Sequence, residues 1–134
     1  MSISIEDRTA ITDLVSLHGH FVDAGELDRL TELFTMDATY DVSDFGQPPL
    51  RGLAAVEQAA LDLGDANPVG HHVTNVVITE VGDNAVSVRS KGIGVNADGG
   101  CGSVTYLDTV IRTDDGWRIS FRKLRAHRAA LGRG

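Results

Sequence analysis

The run HHVTNVVITEV (71–81) decides the fold, because from His71 onward the sequence turns from helical to β-branched. Three further strand-like runs follow: NAVSVRSKGIGV (84–95), GSVTYLDTVIRT (102–113) and WRISFRKLRAH (117–127). The segments between them, GDN, NADGGCG and DDG, carry the glycine, asparagine and aspartate that tight turns demand. Upstream the pattern is helical. Ile11, Leu14, Val15 and Val22 recur at helical spacing between Ser4 and Val22, with Phe21 beside them and His18 within the same stripe. DAGELDRLTELF (23–34) reads as a second helix, with Leu27, Leu30 and Leu33/Phe34 on one face and Asp23 three residues before Glu26 as a capping-box-like start. DATYDVS (37–43) reads as a short strand. DFGQPPLRG (44–52) reads as a loop broken by proline and glycine, and 53–63 as an alanine-rich helix. Three helices gathered early and a meander of strands late predict an α+β fold with an antiparallel sheet, since parallel βαβ units would alternate the two.

A length of 134 residues fits one domain, 1–134, whose basic tail begins near residue 126. Apolar content of 42% and charged content of 23% are those of a soluble globular chain. No apolar run reaches membrane-spanning length, and MSISIEDRTA lacks the features of a secretory signal, so a cytoplasmic setting without membrane contact is expected. Cys101 is the only cysteine, which excludes an intrachain disulfide and a cysteine-based zinc cluster. A net charge of −7 argues against nucleic acid as a partner. The basic end RKLRAHRAALGRG reads either as a solvated terminus or as a binding arm.

Four stretches, FVDAGELDRLTELFTMDATYDV, RGLAAVEQ, GHHVTNVVI and YLDTVIRTDDGWRISFRKLR, resemble in this order the SnoaL-like branch of the nuclear-transport-factor-2-like superfamily. The resemblance implies a cone-shaped, curved antiparallel sheet of about five to six strands, packed with three N-terminal helices around a cavity. Family members include polyketide cyclases, scytalone-type and bile-acid dehydratases, ketosteroid isomerases and small subunits of ring-hydroxylating dioxygenases. The last are generally longer at the N-terminus. It also implies a homodimer through the outer sheet face, no cofactor, and a small hydrophobic, cyclic ligand. The fold alone does not choose among these chemistries.

Alternation along a strand sends His71 and His72 to opposite faces. If Val76 and Ile78 mark one face, His72 and Thr74 share it. The resemblance places His72 at a cavity-facing histidine of the dehydratases, and Asp23 at the aspartate that pairs with it. The plainer alternatives are a His72 bonded to backbone and an Asp23 that caps a helix. His18 stands where many relatives have tyrosine, and can exchange a proton near neutral pH; otherwise it is a satisfied core residue. Tyr40, on the first strand with Ala38 and Val42, is a candidate to hold a carbonyl or water. Tyr106 and Asp108 share a face of the fourth strand, where an aspartate needs a partner. Arg89, Arg112, Arg122 and Arg125 are candidates for that partner, and Arg122 or Arg125 for the pocket rim. Phe21 and Val76 complete the expected substrate wall. No histidine pair has metal-ligand spacing, and GIGVNADGGCG enters no helix, so neither a metal nor a phosphate cradle is expected.

The expected chemistry is cofactor-independent acid–base catalysis, dehydratase, cyclase or isomerase in type. His72 would be the base, Asp23 its partner, and Tyr40 and His18 the groups at the substrate oxygen. The alternative is a non-catalytic binding or accessory protein of the same fold.

Overall fold

The structure, a computed structural model, describes residues 2–133. The order is α1 (Ile5–Asp23), β1 (Phe34–Asp41), β2 (Leu50–Arg51), α2 (Leu53–Leu63), β3 (Gly70–Val81), β4 (Val86–Val95), β5 (Cys101–Thr113) and β6 (Gly116–His127). Helix α1 begins where Ser4 and Asp7 cap one another's backbone, the Ser4 hydroxyl accepting from the Asp7 N–H at 3.0 Å. The other Asp7 oxygen accepts from the Trp117 indole at 3.1 Å and ties the helix start to the sheet. Gly25, at φ +72°, ends the helical region in the left-handed conformation that glycine adopts without penalty.

The segment expected as a second α-helix forms only a 3₁₀ turn, Leu27–Glu32. Asp23 does not cap it, because α1 runs on through Asp23 and the turn starts after Glu26. Leu30 and Leu33 still reach the core, so the apolar spacing is satisfied by the tighter winding.

The sheet is α+β in setting, curved and open, with strand order β2-β1-β6-β5-β4-β3. All pairings are antiparallel except β1 with β6, which run parallel. Three hairpin reversals after β3 bring β6 back alongside β1 in the same direction. Helix α1 lies across β3, and the core is the space between: Ile11, Leu14 and Val15 from the helix against Val86, Val88, Val110 and Ile119 from the strands. Among the described residues no helix is long and apolar enough to cross a membrane.

Of the four register irregularities in the sheet among the described residues, two β-bulges set which side chains face inward near the cavity. In β3, Thr74 pairs with Lys91 and Val77 with Arg89, so Asn75 and Val76 stand opposite the single residue Ser90. Asn75 takes φ +55°, a left-handed backbone that asparagine tolerates better than other side chains. In β6, Phe121 pairs with Thr109 and Ile119 with Val110, so Ser120 is the extra residue. Ile119 and Arg122 are then both fully buried although three positions apart, while Phe121 faces out.

Candidate active site

The Asn75 bulge reverses the parity of β3. Val76 and Ile78 pack on the core, and Val73 and His71, on the far side of the extra residue, share their face. His72 is exposed on the opposite face, beside Ile93 of β4. It is His71, therefore, that meets Asp23. Its backbone N–H donates to Asp23 Oδ2 at 2.9 Å, and its ring Nδ1 lies 2.7 Å from Asp23 Oδ1. With Asp23 ionised, Nδ1 carries the shared proton and Nε2 keeps its lone pair. Asp23 arrives here because α1 and β3 approach closely at Gly19, one turn earlier. A Cβ on Gly19 would collide with the carbonyl oxygen of His71 and lie 3.3 Å from His71 Cβ. The bare backbone of Gly19 thus lets the last turn of α1 reach the head of β3.

His71 lines a cavity of about 730 Å³ together with His18 and Tyr40. Most of the remaining wall is apolar, with Val22, Leu30, Leu50 and Val56 on the core side and Phe45 and Leu63 near the rim. No lysine or arginine is among the lining residues. His18, Phe34 and Tyr40 form a ring cluster with centroids 5.6–6.1 Å apart. Burial, and then the charges of Arg122 and His71, hold the His18 pKa well below the ordinary imidazole range. His18 is therefore a neutral ring at physiological pH, with a buried Nδ1 that has no hydrogen-bond partner within the protein. Burial also raises the Tyr40 pKa, so its hydroxyl stays protonated and can donate.

Behind this wall lies a buried ion pair. Arg122 donates from Nε and Nη2 to the two oxygens of Asp108 at 2.7 and 2.8 Å, with both side chains wholly excluded from solvent. The guanidinium stacks 4.4 Å from the centre of the Tyr106 ring. Burial opposes the Arg122 charge, and Asp108 more than offsets it. The aspartate that strand patterning marks as needing a partner has one in Arg122, delivered inward by the bulge at Ser120.

This arrangement of curved sheet, covering helix and pocket matches a known family. The model of the SnoaL-like domain fits residues 4–123. The chain belongs to the SnoaL-like family. Among solved structures, one similar to this SnoaL-like chain is a candidate aromatic ring hydroxylase from Novosphingobium aromaticivorans. It is 30% identical, covers 96% of this chain and 94% of its own, and has a TM-score of 0.79. An NTF2-like protein with a cystatin-like fold from the same organism is 25% identical over 95% of this chain and 86% of its own, with a TM-score of 0.76. A candidate scytalone dehydratase, also from Novosphingobium aromaticivorans, is 22% identical over 92% and 86% respectively, with a TM-score of 0.74, and shows the fold alone. No curated protein matches the chain.

The SnoaL-like domain brings together three of the four expected catalytic positions, Asp23, His18 and Tyr40, but replaces His72 by its neighbour. Of the expected substrate wall, Tyr106 and Asp108 are buried behind the cavity and do not line it. Phe21 is a core residue beneath the Arg29 guanidinium, and Val76 packs on the core away from the cavity. Arg125 lines a different, outward pocket, because β6 alternates it away from the core after the bulge. Among the described residues no three histidine, cysteine, aspartate or glutamate side chains converge as metal ligands. His71 is the residue that pattern reading missed. The signal was present in the spacing of Val73 and Val76, three apart where an unbroken strand face has steps of two.

Proposed function

We propose that this SnoaL-like chain is a cofactor-independent enzyme of lyase or isomerase type, acting by acid–base catalysis on a neutral, hydrophobic, cyclic carbonyl or hydroxyl compound. The observation that carries the reading is the 2.7 Å contact of Asp23 with Nδ1 of a histidine that lines the cavity. A carboxylate in that position fixes the tautomer and balances the imidazolium that forms when Nε2 takes a proton. His71 Nε2 is the base, removing a proton next to the substrate carbonyl. Tyr40 and His18, both neutral, donate hydrogen bonds to the oxygen where charge develops. The protonated His71 then returns the proton, either to a departing hydroxyl, giving loss of water, or to another carbon, giving isomerisation. A wall that contains Asp62 but no lysine or arginine supports a substrate without an anionic group. Two similar proteins are named for an aromatic ring and for scytalone, both cyclic. The apolar side chains Val77, Ile93 and Phe121, exposed on the outer sheet face, support a homodimer through that face.

The test is a panel of cyclic ketones and hydroxyketones assayed for dehydration and isomerisation with two neighbouring variants. His71→Ala should lower turnover by about 10²–10⁴-fold, the usual worth of a positioned base, and His72→Ala, altering an exposed ring, should leave it within a few-fold. Equal loss in both, or full activity in His71→Ala, overturns the assignment. Ligand binding without turnover by the parent chain would favour a carrier of the same fold.

A further inference from the structure

The last strand and the tail from Gly116 onward contain no acidic residue, although the chain as a whole carries −7. The fold gathers this basic run into a second pocket of about 360 Å³, lined by Lys123, Arg125, His127, Arg128 and Asp44 with the backbone of the tail. Three formal positive charges thus share the pocket with one lining carboxylate, and Lys123 also feels Asp41, its register partner on β1. The lining carboxylate is engaged: Asp44 Oδ2 accepts from the Ala126 N–H at 3.1 Å. Among the described residues neither Lys123, Arg125 nor Arg128 has a carboxylate oxygen within ion-pair distance. Arg128 is held in place by other means, donating to the Asp44 carbonyl oxygen at 2.8 Å and lying 5.7 Å from the centre of the Phe45 ring. His127 is oriented too, with Nε2 2.7 Å from the Thr105 hydroxyl. Where that hydroxyl donates, His127 Nδ1 carries the ring proton and adds a neutral donor to the cationic set.

The pocket is separate from the catalytic cavity, yet adjoins its rim. Asp44 lines one and Phe45 the other. The two differ in chemistry. The catalytic cavity has no cation in its wall, whereas this one gathers guanidinium and ammonium groups at and just beyond a strand end, the donors that recognise planar or tetrahedral oxyanions. We propose that this pocket is a second ligand site, taking a small soluble oxyanion of the phosphate or diphosphate class.

The test is titration of the parent chain with inorganic diphosphate by calorimetry, at two potassium chloride concentrations, beside Lys123→Gln/Arg125→Gln. Saturable binding of one diphosphate per chain, weakened by salt and at least about tenfold by the double substitution, is the expected result. No saturable binding, or equal binding by the double variant, overturns the proposal. Because that variant can be lost to misfolding, the parent supplies a second readout. Its His127 ring resonances should move on titration while those of His18 and His71 stay fixed, and the reverse pattern overturns the site. Vesicles of anionic phospholipid form the remaining arm. Vesicle binding without diphosphate binding would make the basic end a membrane face and refute a soluble ligand.

Discussion

Replacing Gly19 by alanine should destabilise the protein, although alanine is the better helix former. In an exposed helix interior the exchange gains about 1 kcal/mol. Here the new Cβ collides with the carbonyl oxygen of His71, with the His71 carbonyl carbon at 3.2 Å and its Cβ at 3.3 Å. The obstacle is backbone, so no side chain can rotate aside, and α1 must move off β3 by roughly 1 Å. Overpacking of this kind costs about 1–3 kcal/mol. With a rigid partner the upper half of that range applies, which leaves a net loss of about 1–2 kcal/mol after the helix gain. The same displacement acts one turn away on Asp23, whose two hydrogen bonds to His71 have little slack at 2.7 and 2.9 Å. A misplacement of about 1 Å can cost a catalytic group on the order of 10²-fold. Urea denaturation gives the first quantity, and ¹⁵N spectra of the His71 ring give the second without any substrate, through loss of the Asp23-imposed Nδ1–H tautomer. An alanine variant about 1 kcal/mol more stable than the parent, with that tautomer retained, would refute the close-approach argument.

Asp108→Ala should cost about 3–5 kcal/mol in urea denaturation, because it leaves the Arg122 guanidinium charged, buried and unpaired. Asp108→Leu combined with Arg122→Met should recover most of that loss, and failure to recover it would show that the pair is needed beyond its own charge balance. Asp7 is held at a pKa of about 2 by the Trp117 indole first, then by the Ser4 backbone and Arg112. Its folded pKa is lower than its unfolded one, so its contribution is complete above about pH 4 and fades as pH falls toward 2. Asp7→Asn should therefore be less stable than the parent at pH 7, with the gap shrinking as pH falls from about 4 and closing only below about pH 2. A gap that stays constant across that window would contradict the assignment.

Much of the architecture is legible in the sequence because it rests on signals that are local. The turn sequences GDN, NADGGCG and DDG bound the late strands, and the stripe of Ile11, Leu14 and Val15 marks the buried side of α1. The second helix is a different case. Leu27, Leu30 and Leu33/Phe34 fit helical spacing, but Gly25 at φ +72° breaks the chain just before them. Only the eight residues 26–33 then remain before Phe34 starts β1, too few for an α-helix to recover its nucleation cost. The parallel pairing of β1 with β6 is equally unmarked, since it depends on how four strands reverse and not on either strand's own residues.

The site was half legible for a related reason. Asp23 and His18 sit in a helix whose period holds, and Tyr40 follows buried Ala38 by two beyond the irregularity in β1, so their faces follow from spacing. His71 and Arg122 do not, because each lies on one side of a single inserted residue. Counting by two from Ile78 gives Val76, Thr74 and His72. Allowing one extra residue at Asn75 gives Val76, then Val73 and His71. The same step at Ser120 buries Arg122 opposite Asp108. The two bulges thus perform matching tasks from different strands, one turning an imidazole into the cavity and the other turning a counter-charge in behind it. His71 is half-buried and Arg122 fully buried at positions that an unbroken alternation would have turned outward. The Asn75 bulge, more than either histidine, decides which imidazole meets Asp23.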